Sequence, residues 1–146
     1  MTKIILARIK GSISSLILLV RYLRSIAFFK YSIRFLVVFL MLAGAWVATR
    51  ELDIPPEYKL NDKFIHVFVF FAFAVLIDLS SARKPFWLWK GLPLLVYGMC
   101  IEVMQYYVPA RSFSTLDWVA DLTGVLLYFT AKKLLIRLNL KRAFIS

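Results

Sequence analysis

Four acids, one imidazole and two basic side chains recur in this chain at spacings that place them on shared helix faces, each time beside an apolar run. Asp62 and His66 are four residues apart with Lys63 between them, and Glu102 and Gln105 are three apart. Asp117 and Asp121 are again four apart, with Gly124 on the next turn of their face. Arg111 falls between the last two pairs, beside Pro109. Carboxylates and an imidazole can move protons or hold a hard cation. A guanidinium grips carboxylate or phosphate through its planar fork. The candidate ligand-binding set is therefore Asp62, Lys63, His66, Glu102, Gln105, Arg111, Asp117 and Asp121. Within it, Glu102 or His66 is the candidate general base, and Glu102, Asp117 and Asp121 are the carboxylates available to a metal. A single histidine excludes a multi-histidine centre within one chain, and the lone Cys100 excludes an intramolecular disulfide.

The elements that must position these groups have a membrane composition. The chain is 62% hydrophobic, against about 45–50% in soluble proteins. Its 146 residues leave room for one domain of four spans, since each crossing takes roughly 20 residues. Spans are expected near 35–49, from Phe64 onward through FIHVFVFFAFAVLI, over 91–107 and over 116–136. Pro55 and Pro56 break the loop after the first. Pro93 falls in the first turn of the third, where a missing N–H costs little. Trp87 and Trp89 read as interface anchors in the turn before it.

Residues 1–30 are basic and half apolar, with Arg21 and Arg24 near the middle of the apolar run. Each arginine would cost about 2.5–3.5 kcal/mol at a bilayer centre. Lys3, Lys10, Ser14, Arg21 and Ser25 follow one helical face, which predicts an amphipathic helix lying on an anionic leaflet. The rival is a signal peptide, but no small-x-small cleavage site follows. The expected fold is thus all-α and membrane-integral. It has an interfacial helix over 1–30, a four-helix transmembrane bundle over 31–138 and a basic tail over 139–146.

Lysine and arginine set the orientation. Fifteen of the 19 precede the first span, lie in the second turn or follow the fourth span, and four lie in the other two loops. Both termini are then cytoplasmic, and the net charge of +11 is largely topogenic rather than a nucleic-acid footprint. In-out-in-out threading brings the start of the second span, the end of the third and the start of the fourth to the outer leaflet together. Taken singly, the polar residues have structural readings too. Asp62 can cap a helix, Asp117 suits a helix N-terminus, and His66 and Gln105 can bond between helices. Glu102 and Asp121 lie deeper than any cap, so these side chains should turn toward one another and the group reads as an outward-facing polar pocket. Asp78, near the far end of the second span, reads as snorkelling or capping.

In order, D-K-x-x-H at Asp62, Lys63 and His66, E-x-x-Q at Glu102 and Gln105, P-x-R at Pro109 and Arg111, and D-x-x-A-D-x-x-G at Asp117, Ala120, Asp121 and Gly124 resemble the VanZ-like membrane proteins. The resemblance covers about 60–129, and the family often carries asparagine where this chain has Asp121. It implies a small multi-pass protein of the bacterial plasma (inner) membrane. It also implies a link to resistance against the glycopeptide teicoplanin. Three functions follow from the residues. The first is a pocket that binds an envelope component or lipid head group, with membrane lipid, an envelope lipid-linked intermediate or a glycopeptide as partner and no cofactor. The second is a metal-assisted enzyme on a lipid-linked or phosphorylated substrate, with Mg²⁺ or a similar hard cation. The third is a structural scaffold in which the polar groups are internal glue.

Overall fold

The computed structural model describes residues 11–12, 15–16, 18–20, 22–23, 26–50, 59–81, 85–109 and 113–143, the last six of these and 59–61 by backbone alone. Every regular element among them is helical. Helix α1 spans Ala27–Ala48, α2 spans Lys59–Ser80, α3 spans Leu92–Tyr106 and α4 spans Thr115–Ala143. A wide π-turn, Trp87–Gly91, runs directly into α3.

Two of these helices are long and apolar enough to cross a membrane: α1 and the Asp62–Ser80 portion of α2, with mean hydropathy 1.9 and 2.0. At 1.5 Å per residue, 22 residues reach ~33 Å, matching a hydrocarbon core of about 30 Å. Only 6% of the α1 window is buried by the rest of the chain, so its apolar surface is not that of a soluble core helix. Phe28, Phe35, Phe39, Leu42 and Trp46 all face outward.

The helix boundaries differ from the expected spans: α2 begins at Lys59, five residues before Phe64, and α4 runs to Ala143, seven residues beyond 136. Ile26 is extended (φ −78°, ψ 117°), and α1 begins at Ala27, eight residues ahead of the expected span. Residues 27–30 therefore belong to α1 and not to the N-terminal segment. Residues on either side of the gaps in 11–23 are helical. The basic positions Lys3, Lys10 and Arg21, on which the amphipathic reading rests, lie outside the described residues; of the expected tail over 139–146, residues 139–143 continue α4 and 144–146 lie outside the described residues.

The third helix differs as well, being already helical at Phe86 rather than from Gly91. Pro93 has no N–H to give the Trp89 carbonyl, and its ring crowds that carbonyl. The preceding turn widens, and the Leu92 N–H bonds the Trp87 carbonyl, one residue further back than in an α-helix. The extra residue turns Lys90 inward, leaving it only 2% exposed. Phe86 becomes a core residue and Trp87, partly buried, packs against the core; Trp89 remains half exposed.

The core joins Phe70, Phe73 and Ala74 of α2 to Phe86, to Leu94 of α3 and to Val125 of α4. Phe70 and Phe73 meet edge-on at 6.0 Å, and Tyr97 lies against both rings. Helices α2 and α4 approach closely at Gly124. A Cβ on Gly124 would strike the Val67 carbonyl oxygen and come within 2.9 Å of the Phe71 nitrogen. Only a residue without a side chain permits that approach, as at small-residue contacts between membrane helices. Since Asp117, Asp121 and Gly124 share a face, the same crossing turns both acids toward α2.

Candidate functional site

The N-terminal turns of α2 and α4 and the C-terminal turns of α3 meet at one end of the bundle. There Lys63 Nζ donates to Asp117 Oδ1 at 2.6 Å, and His66 Nδ1 lies 2.8 Å from Asp121 Oδ1. Both bonds tie α2 to α4. Gly98 of α3 makes room for Asp121, because a Cβ there would collide with Asp121 Oδ2. Asp121 is thereby 1% exposed and Glu102 fully buried.

Glu102 ties α3 to the start of α4. Its Oε2 accepts the Ser114 N–H at 2.9 Å. Ser114 Oγ in turn accepts the Asp117 N–H at 3.3 Å, the pattern of a helix N-cap. Among the described residues, Glu102 Oε1 has no hydrogen-bond partner although it is buried. Such a group in a native fold calls for a water, an ion or a ligand.

A cavity of about 580 Å³ opens from this cluster between α1, α2 and α3. Asp62, His66 and Gln105 line its polar end, and Tyr97 adds a hydroxyl. The rest of the wall is almost entirely apolar, including Leu40, Ala43, Val47, Val69, Phe73 and Leu76. Its size and sparse polar groups are those of a small-molecule site. The Tyr97 hydroxyl donates to the Met41 carbonyl at 2.7 Å and so fixes the α1 wall.

The structure thus brings Asp62, Lys63, His66, Glu102, Gln105, Asp117 and Asp121 to one end of the bundle. Arg111 lies outside the described residues. The expected metal carboxylates regroup. Among the described residues, donor atoms of Asp62, His66 and Asp117 lie within 4.8 Å of one another, while Asp121 is engaged by His66 and Glu102 by Ser114. Asp62 sits inside the first turn of α2 rather than ahead of it, so it is not the helix cap.

A second polar cluster occupies the opposite end, and sequence reasoning missed it. Asp78 is neither snorkelling nor capping. It is buried, accepting from Lys90 Nζ at 2.5 Å, Lys132 Nζ at 2.7 Å and Tyr128 OH at 2.7 Å. Lys90 also donates to the Ser81 carbonyl at 2.6 Å, and Arg34 Nε bonds the Ser80 carbonyl. The clasp joins α2, the π-turn and α4, with α1 held beside it. No spacing signal predicts it, because its members come from separate elements. Ser114, by contrast, had a signal in its three-residue spacing to Asp117.

No family model, curated protein or solved structure matches the chain. The chemistry of the site rests on its own geometry: buried carboxylates, an oriented imidazole and a long apolar cavity with a polar end.

Proposed function

We propose that this chain is a four-span protein of the bacterial plasma membrane that binds an amphiphile, with a lipid or lipid-linked envelope component as the ligand class. The head group occupies the polar end at Asp62, His66 and Gln105, and the tail lies along α1 and α2. The observation that carries this reading is the cavity itself, about 580 Å³ with an apolar wall and titratable groups gathered at one end. A lipid tail would cover the apolar wall while its head group meets the polar end. Access from the bilayer is supported by the loose seating of α1, in which only Val37 and Ala48 are buried.

Span content and orientation belong to the same proposal. From Trp87 to Tyr106 the helical stretch comes close to the roughly 20 residues a crossing needs, and the 29 residues of α4 exceed it. Arg34, Lys90 and Lys132 gather at the end opposite the acids, which supports a cytoplasmic placement of that end and an outward-facing pocket. The ordered motifs support a place among VanZ-like proteins, and through it a link to glycopeptide resistance. Teicoplanin susceptibility of cells with and without the gene tests that link.

Native mass spectrometry of detergent-released protein tests the binding itself. Wild type is expected to retain a lipid-sized adduct, Glu102→Gln to retain less of it, and Ala43→Phe, which fills the cavity wall, to lose it. Adduct occupancy unchanged in Ala43→Phe overturns the assignment. A metal-assisted enzyme is the second reading, favoured by the grouping of Asp62, His66 and Asp117.

A further inference from the structure

We infer that Asp62, His66 and Asp117 form a binding site for one divalent transition-metal cation, Zn²⁺ or Mn²⁺, at the polar end of the cavity. The assignment deepens the reading above and rests on the same pocket. One donor atom from each of the three residues lies within 4.8 Å of the other two. Donors ~2.1 Å from a tetrahedral ion sit ~3.4 Å apart, so small side-chain rotations close the site. The residues come from two helices whose separation the Gly124 crossing holds fixed.

Three further features point to a cation. Asp121, 1% exposed, lies 2.8 Å from His66 Nδ1, which leaves Nε2 as the nitrogen free to donate a lone pair. A buried carboxylate behind an imidazole is the arrangement that orients metal-bound histidines. Glu102 Oε2 is held by the N–H of Ser114, whose Oγ in turn accepts the Asp117 N–H, while Glu102 Oε1 is buried and unpartnered among the described residues. A water bound to the ion would satisfy it. Finally, the carboxyl groups of Asp62, Glu102, Asp117 and Asp121 meet one ammonium and one imidazole among the described residues. That excess of acid favours a cationic occupant over a bare anion.

The donor types narrow the ion. Mg²⁺ and Ca²⁺ prefer all-oxygen shells, whereas an imidazole with two carboxylates suits Zn²⁺ or Mn²⁺. Lys63 occupies Oδ1 of Asp117 and leaves Oδ2 for the metal. Lys63 is 37% exposed along its side chain and can swing away as the ion enters. An ion held there would also give an anionic head group something to bind in a niche whose own charge repels it.

Protein in phosphatidylethanolamine–phosphatidylglycerol nanodiscs, stripped with EDTA, is titrated calorimetrically with Zn²⁺, Mn²⁺ and Mg²⁺. Metal retained after gel filtration is counted by mass spectrometry. One Zn²⁺ or Mn²⁺ per chain is expected, with Mg²⁺ at least tenfold weaker. Asp62→Asn and Asp117→Asn should weaken binding tenfold or more, and Asp121→Asn about 10- to 100-fold. Thr123→Ala, on the exposed side of α4, should bind as wild type. His66→Ala also removes an interhelical bond, so Asp62→Asn is the deciding variant: Asp62 makes no side-chain bond among the described residues. Substoichiometric metal in wild type, or Asp62→Asn binding as tightly as wild type, overturns the site. Lipid adducts that persist without any metal binding reject the ion alone. Stoichiometric metal in a protein that retains no lipid rejects the amphiphile reading alone.

Discussion

Replacing Gly124 by alanine adds one methyl group, yet it should open the site a turn away. The new Cβ would meet the Val67 carbonyl oxygen head-on, the Phe71 nitrogen at 2.9 Å and the Phe70 Cβ at 3.2 Å. Two of these are backbone atoms of α2 and cannot rotate aside. Restoring the ~3.5 Å at which heavy atoms attract requires α2 and α4 to part by about 1 Å. The His66–Asp121 contact is 2.8 Å and the Lys63–Asp117 contact 2.6 Å. A shift of that size takes both beyond the ~3.2 Å limit of a good hydrogen bond. Overpacking of this kind costs about 1–3 kcal/mol. The two weakened interhelical bonds add about 0.6 kcal/mol each at the average measured between membrane helices. Thermal unfolding in detergent should therefore fall by a total of roughly 2–4 kcal/mol equivalent, with lipid retention falling in parallel. Gly11→Ala is the control. Nothing lies within 4 Å of its Cβ, and alanine in a helix is favoured over glycine by up to about 1 kcal/mol. Equal melting of Gly124→Ala and wild type would refute the close crossing and the site geometry built on it.

Three further outcomes follow from the same structure. Asp78→Ala should destabilise the bundle by about 3–5 kcal/mol in a denaturant titration, because it strands buried Lys90; the Lys90→Met, Asp78→Leu pair should recover most of the loss. Tyr97→Phe removes the bond to the Met41 carbonyl and should cost about 0.5–1.5 kcal/mol. Cysteine-crosslinking between α1 and α2, at Ala43 and Val69 across the cavity, then checks whether the α1 wall has loosened. A reporter fused after Ser146 should be active only in its cytoplasmic form, and the reverse result would invert the pocket with respect to the membrane.

Much of the site was legible because helix faces are local. Residues three or four apart stack on one side of a helix whatever surrounds it. That rule paired Asp62 with His66, Glu102 with Gln105 and Asp117 with Asp121. Ionisable groups beside apolar runs then had to point inward. Two features escaped the rule for a physical reason. The Asp78 clasp needs Lys90 turned inward, and only the π-turn ahead of Pro93 does that. The regrouping of metal donors depends on which acid His66 engages, a matter of how two helices cross.

Sequence by itself determined an all-helical chain, its apolar stretches, the faces that carry acid and base, and the end of each helix at which they lie. Tertiary structure alone decided which faces touch, where the cavity runs and which carboxylate oxygen is buried without a hydrogen bond among the described residues. Periodicity is a property of one helix, whereas contact depends on the distance between two. Here that distance is set by an absent side chain at Gly124 and a backbone approach that no residue spacing encodes.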